Sequence, residues 1–257
     1  MAYDIAEKTQ QFRINGFVVF EDLIAHETID RIREAWIPVR DAGIVSQGEK
    51  PPTRGWGRYN VPVPYKPPFL DENIFEHPSL VTFLEEILGP DYVWFVFDSN
   101  IPMPGTDYQR WHRDGINSLY PEITTPCFQV GVKFPLCDTS EVNGSFEVMP
   151  CTQYVGDLPA ENLDDIFGHG TDFRDDFNSR RLNLKKGSLW IHDNRVIHRG
   201  TPNHSDFPRD EICMAMSSSW VFSRWQHEHT DQHFSPDLWN SLSDHAKQVL
   251  RWQRLEE

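Results

Sequence analysis

The chain has 257 residues, enough for one large domain with a substantial core, and its 39% apolar and 25% charged residues exclude a disordered chain. Its 24 Lys and Arg stand against 39 Asp and Glu, and the resulting net charge of −15 repels phosphate backbones and anionic lipid, so no nucleic acid partner is expected. The opening MAYDIAEKTQQFRINGF lacks the apolar run of a signal peptide and no stretch reaches the length of a membrane span. A soluble, cytoplasmic protein with no membrane partner is expected. Cys127, Cys137, Cys151 and Cys213 show no CxxC spacing and are expected as reduced, mostly buried thiols.

In chain order, residues 4–15 predict a helix stopped by Gly16, and Phe17 to Phe20 is a short apolar run suited to a buried strand. Residues 26–41 place Ile29, Ile32, Trp36 and Val39 on one helical face. A second amphipathic helix over 78–88 carries Leu80, Phe83, Leu84, Ile87 and Leu88 and is closed by Gly89-Pro90. Between them, residues 45–72 hold six prolines and three glycines without periodicity, which predicts a long, lid-like loop. Its Trp56, Tyr59, Tyr65 and Phe69 are candidates for lining a pocket or packing the loop.

From Asp91 onward the pattern changes to strands separated by turn residues: 92–100, 127–136, 145–149, 187–191, 196–198 and 212–222. An acidic loop covers 154–183, and a last helix starts at Ser235-Pro236, an N-cap followed by proline at the first helical position. Strands that do not alternate with helices exclude a parallel α/β fold. The order predicts a mainly β protein, a double-stranded β-helix (jelly roll, cupin-like) over about 92–222 with helical flanks, forming a single domain over 1–257.

His-x-Asp occurs three times, at His112, His204 and His229, so the tripeptide alone selects none of them. Only the first copy follows a strand and precedes enough further strands to close a barrel before a histidine, His198, returns at a strand end. Two imidazoles and one carboxylate on one face of Fe(II) leave the opposite positions open for a 2-oxo acid and O2, which makes His112, Asp114 and His198 the candidate catalytic metal ligands. A 2-oxo diacid also needs a cation for its far carboxylate. Arg209 follows the turn-rich GTPNHSDFP, and a hairpin-like connection returns it beside the strand end carrying His198, where its planar fork suits a carboxylate. Thr201 in the same connection is a candidate hydroxyl donor. His192 is expected to pair with the adjacent Asp193, and His227, His229 and His233 to be solvated or packed rather than to form a second metal site.

The segments WHRDG (111–115), NGSFEVMP (143–150), KKGSLWIHDNRVIHRGTPN (185–203) and Arg209 together resemble the phytanoyl-CoA dioxygenase family of Fe(II)/2-oxoglutarate oxygenases. The likeness covers about 92–222 and, more weakly, the opening helix and GFVVFEDLI. It implies that His112, Asp114 and His198 hold Fe(II) and that Arg209 binds the 2-oxoglutarate carboxylate. Where the family has Pro-Gly-Ser-His, this chain has Pro150-Cys151-Thr152-Gln153, a departure expected to bear on substrate orientation rather than on iron. Halogenating relatives carry a small residue in place of the metal carboxylate, so the presence of Asp114 favours hydroxylation. Alternation along 127–133 puts Cys127, Gln129, Gly131 and Lys133 on one face. The resemblance makes that face the barrel interior, with Gln129 and Asn100 as candidate cosubstrate or substrate contacts.

The expected function is a dioxygenase that hydroxylates a small molecule and releases succinate and CO2. The competing readings are a non-catalytic jelly-roll protein that binds a metal or ligand, and a cupin-like metal enzyme that does not use 2-oxoglutarate.

Overall fold

The structure is a computed structural model, and it describes residues 3–48, 56–114, 125–156, 163–168, 178–221 and 233–255. Helix α1 (Ile5–Asn15) starts where the Asp4 side chain accepts the Glu7 N–H and ends where Gly16, at φ 81°, returns its N–H to Phe12 O. Strand β1 (Phe17–Phe20) follows, then α2 (His26–Gln47), which runs six residues past the predicted end and through Pro38. A tertiary contact extends it: a Cβ on Gly43 would lie 2.4 Å from Val61 Cγ1, so the 56–70 segment packs directly on the last turns of α2. That segment holds β2 (Arg58–Tyr59) and leads to α3 (Glu72–Phe75) and α4 (Pro78–Leu88).

The strands that follow are β3 (Val93–Pro102), β4 (Gln129–Pro135), β5 (Phe146–Val148), β6 (Arg180–Leu182), β7 (Leu189–Asp193), β8 (His198–Arg199) and β9 (Glu211–Ser217). A short helix α5 (Asp164–Phe167) and strand β6 lie inside the predicted acidic loop. Strand β10 (His233–Phe234) pairs in parallel with β11 (Arg254–Leu255). Between them the single predicted C-terminal helix is two, α6 (Pro236–Ser241) and α7 (Asp244–Val249), the second capped by Ser243. His227, His229 and the last predicted strand residue, Phe222, lie outside the described residues.

The strands form a six-stranded sheet in the order β1-β7-β4-β9-β3-β2 and a three-stranded sheet β6-β5-β8, every pairing antiparallel. This is the predicted jelly roll. Period-two alternation gives the large sheet two unlike faces. Val130, Val132, Ile191, Ile212, Met214 and Met216 face the helices and join Phe12, Trp36 and Phe83 in the main core. The intervening residues Gln129, Gly131, Lys133, His192, Glu211 and Cys213 face the small sheet, so a polar lining is built into the barrel. Below it, Phe146, Val148 and Leu182 of the small sheet meet Phe17 and Trp190 of the large one in a second apolar cluster.

Tyr65 and Phe69 pack in the main core against Trp94, Phe97 and Trp36, whereas Trp56 is exposed. All four cysteines are free; burial raises the thiols of Cys127, Cys137 and Cys213, as expected, and Cys151 alone is exposed.

The departing segment 150–153 braces the fold. Thr152 Oγ1 donates to Met149 O (2.7 Å) and accepts from Ile197 N (2.8 Å), next to His198, while Gln153 Nε2 donates to Arg13 O and Ile14 O at the end of α1 (3.1 Å each). Cys151 has φ 67°, a left-handed conformation costing about 1–2 kcal/mol for a side chain with a Cβ. Glycine removes that strain and returns part of the gain as unfolded-state entropy. Cys151→Gly is therefore expected to stabilise the protein by about 0.5–1 kcal/mol, a rise of a few degrees in Tm by calorimetry.

Candidate metal centre

His112 and His198 are placed by a backbone bridge between their own residues, each N–H donating to the other's carbonyl at 3.0 Å. Asp114 N donates to Asn194 O (3.0 Å), which ties the third residue to the turn between β7 and β8. The ligand atoms of His112, Asp114 and His198 lie within 4.8 Å of one another. Asp114 Oδ1 is 3.7 Å from His112 Nε2, and its Oδ2 is 3.5 Å from His198 Nε2.

The outer nitrogen of each imidazole is committed. His112 Nδ1 lies 2.8 Å from Arg110 O and His198 Nδ1 lies 3.0 Å from Val196 O. A carbonyl oxygen only accepts, so each Nδ1 carries the proton and each Nε2 presents a lone pair to the common centre. Three donors with that tautomer pattern fit a divalent transition metal such as Fe(II).

His192 is fully buried and stands behind the carboxylate, with Nε2 3.2 Å from Asp114 Oδ2. Burial first, and the Lys133 charge second, pull its pKa down to about 3, which leaves a neutral ring donating Nε2–H to Asp114. The pairing with Asp193 expected from sequence does not form. Adjacent strand residues point to opposite faces, and Asp193 binds Arg195 instead (2.5 and 2.9 Å). Burial alone would raise the Asp114 carboxyl. In the metal-free site, attraction to the His198 ring whenever that ring carries a second proton, the hydrogen bond from His192 and the nearby Lys133 outweigh it and hold the group well below the ordinary carboxylate range. Gly131 makes room for this stack, since a Cβ there would lie 2.2 Å from His192 Cε1.

Lys133 is 5% exposed, with Nζ 3.9 Å from Asp114 Oδ2 and 4.4 Å from the centre of the Phe146 ring. Gln129 lies on the same face, half-buried at the start of β4. The interior face expected from sequence is the observed one.

Arg209 reaches the barrel by a different route from the predicted hairpin. β8 and β9 belong to different sheets, and the connection crosses between them, held by Asn203, whose Nδ2 donates to Pro102 O and Phe207 O (2.9 Å each). Arg209 N then donates to Pro102 O (3.2 Å), so Arg209 enters beside the end of β3 rather than beside β8. Its side chain is 1% exposed. Nη2 donates to Gly144 O (3.0 Å), Nη1 lies 3.2 Å from Glu211 Oε2, and Nε and Nη1 have no hydrogen-bond partner among the described residues.

Asn100 lines the same small pocket as Arg209, with Phe146, Tyr59, Gln109 and Arg58. Its Nδ2 contacts Cys213 Sγ (3.1 Å), and its Oδ1 accepts from Asn60 (3.1 Å). Thr201 is buried, but its hydroxyl donates to Ser145 O (2.7 Å) and accepts from Arg181 (2.5 Å). Its one proton is spent, so it is not the spare donor that the sequence suggested. Sequence reasoning placed Lys133 on the interior face without giving it a role, offered Glu211 only as one of three possible surface ion-pair partners of Arg209, and passed over Arg58 altogether.

A family model described as phytanoyl-CoA dioxygenase (PhyH) matches residues 12–210. Among solved structures, EvdMO1 superposes with a TM-score of 0.64 at 22% identity, covering 84% of this chain and 50% of its own, so the chain spans half the length of that protein. AviO1 from Streptomyces viridochromogenes Tue57 gives 0.64 at 20% identity, covering 87% of this chain and 99% of its own. SnoN, described as a non-heme alpha ketoglutarate dependent epimerase from nogalamycin biosynthesis, gives 0.61 at 14% identity, covering 84% and 81%. At these identities the structural likeness establishes the fold. The family model spans most of the sequence and every residue of the metal cluster, and the chain belongs to the phytanoyl-CoA dioxygenase family.

Proposed function

We propose that the protein is an Fe(II)- and 2-oxoglutarate-dependent dioxygenase that hydroxylates a small molecule, with His112, Asp114 and His198 as the metal ligands. The observation that carries the reading is the convergence of three donor side chains within 4.8 Å with both imidazole protons already given to backbone carbonyls. Iron bound there, with 2-oxoglutarate and O2, supplies a two-electron oxidation of a substrate C–H bond, with succinate and CO2 as co-products.

The chain's own residues prepare that site. His192 orients Asp114 through Nε2–H, and the Lys133 ammonium favours the ionised carboxylate. Phe146 and Trp190 pack against the His198 and His192 rings and would keep water from that side of a bound metal. Arg209, whose buried Nε and Nη1 make no hydrogen bond among the described residues, supplies donors for the far carboxylate of the cosubstrate, with Asn100 beside it and Gln129 on the same interior wall. A net charge of −15 favours a small-molecule substrate over nucleic acid or an anionic membrane surface, and no helix among the described residues is long and apolar enough to cross a membrane.

Reaction under 18O2 separates the outcomes. Hydroxylation puts one labelled oxygen in succinate and one in the product, read by mass spectrometry. Labelled succinate with an unlabelled, altered product assigns epimerisation or desaturation instead. Metal binding without succinate leaves the binding-protein reading.

A further inference from the structure

Lys133 stands beside the metal cluster with its charge only partly answered. Strand alternation turns Gln129, Gly131 and Lys133 of β4 into the barrel, and Lys133 pairs in register with Trp190 of β7 and Cys213 of β9. It is 5% exposed, and among the described residues its Nζ makes no hydrogen bond. The one carboxylate within ion-pair distance among them is Asp114, with Oδ2 at 3.9 Å, and the centres of the Phe146 and Trp190 rings lie 4.4 and 5.1 Å from Nζ. The other acids on this wall are engaged or remote. Glu211 is held by Arg209 (3.2 Å) and by Trp190 Nε1 (3.0 Å). Asp98 stands across Cys213 in β3, two strand spacings or roughly 10 Å from Lys133 at the backbone.

An ammonium taken out of water is destabilised unless acceptors or a counter-charge replace its hydration, and attraction to two aromatic faces offsets only part of that. Leucine or methionine would fill the same space against Phe146 and Trp190 without burying a charge, so packing alone does not account for lysine. The charge acts where Asp114 is shared between Lys133 and the metal cluster. With their Nε2 lone pairs on a metal, the two imidazoles are neutral. A divalent ion then leaves the cluster with a single net positive charge, and a trivalent ion with a double one. In the low effective dielectric of the barrel, a fixed cation so close to the ligand set resists that increase.

We propose that Lys133 sets the reduction potential of iron in this site, its ammonium favouring Fe(II) over Fe(III) so that the resting centre stays ferrous in air. This rests on the reading of His112, Asp114 and His198 as an iron site. The step it opposes moves one electron from Fe(II) to O2, giving Fe(III) and superoxide, and adds one positive charge beside a fixed cation. Lys133 acts across space and through Asp114, so it is a positioning residue. An anion entering the barrel offsets the ammonium, which makes the ferrous bias strongest while the barrel is empty.

The test is a mediated redox titration of iron-loaded protein without any 2-oxo acid, in the wild type, Lys133→Met and Lys133→Arg, with the ferric fraction read by electron paramagnetic resonance. Zn(II) affinity of the same proteins is measured alongside. Lys133→Met is expected to move the Fe(III)/Fe(II) ratio at a given applied potential about 10–100-fold toward Fe(III), a fall of about 60–120 mV for a one-electron couple. Lys133→Arg keeps the charge and should stay within about threefold of the wild-type ratio. Zn(II), which has no redox step, should bind Lys133→Met at least as tightly, since a repelling cation has gone. Lys133→Gln, neutral and polar, repeats the comparison if the methionine variant folds poorly. An unchanged potential, an equal fall in Lys133→Arg, or weaker Zn(II) binding without a fall in potential overturns the proposal and makes Lys133 a structural support. Wild-type protein that takes up no Fe(II) overturns the iron reading itself, and this proposal with it.

Discussion

Asp114→Ala is expected to give a folded protein whose Fe(II) affinity is lower by more than about 100-fold, since even outer partners of metal ligands are worth 10–100-fold. Asp114 is the one anion among the three donors, and it sits 3.5–3.7 Å from both imidazoles. Removing it leaves two neutral nitrogens that cannot alone hold a divalent ion against water. Folding should survive, because in the metal-free protein the side chain is 23% exposed and contributes no packing to the apolar clusters. Metal content after desalting measures the loss. The rise in Tm that Fe(II) gives the wild type, a linkage effect, should vanish in the variant. Retained metal would place the site elsewhere.

Arg199→Met should produce the largest loss of stability, about 3–5 kcal/mol, because it strands a buried carboxylate. Arg199 Nε donates to Glu147 Oε2 at 2.7 Å across the β5–β8 pair, with the two side chains 2% and 9% exposed. The guanidinium also lies 4.2 Å from the centres of both the Tyr108 and Trp111 rings, stacking that methionine does not replace. For a chain of this size the loss corresponds to a fall in Tm on the order of 10 °C. Because Arg199 directly follows His198 in β8, metal affinity should fall with it. The double variant Glu147→Gln, Arg199→Met should recover part of the stability, since no charge is then left unpaired. A Tm within about 2 °C of wild type in the single variant would show that the pair contributes nothing net.

The parts of the fold that were legible in the sequence are those in which one residue's neighbours decide its state. Alternation along Cys127 to Lys133 identified which residues of β4 face the barrel, because strand period is local. Gly16 and Ser235 marked helix ends through bonds made within a turn. The convergence of His112, Asp114 and His198 was legible because a strand order constrains which His-x-Asp can meet a later histidine. What was missed depends on contacts between distant segments. The last turns of α2 exist because Val61 packs on Gly43, and Arg58 reaches the pocket from a segment with no periodicity at all. Arg209 was recognised, but its path was not, since sequence cannot tell a hairpin from a crossing between two sheets. His192 was assigned to its neighbour Asp193, where pleating directs the two apart and brings His192 to Asp114 across the barrel.

The central claim is that Fe(II) in this site is chelated by 2-oxoglutarate, and an anaerobic titration of the wild-type protein with Fe(II) and then 2-oxoglutarate tests it most directly. The account predicts a visible metal-to-ligand charge-transfer band that saturates with one equivalent of each, and that is lost in Asp114→Ala. Folded, metal-loaded protein that develops no band would contradict it.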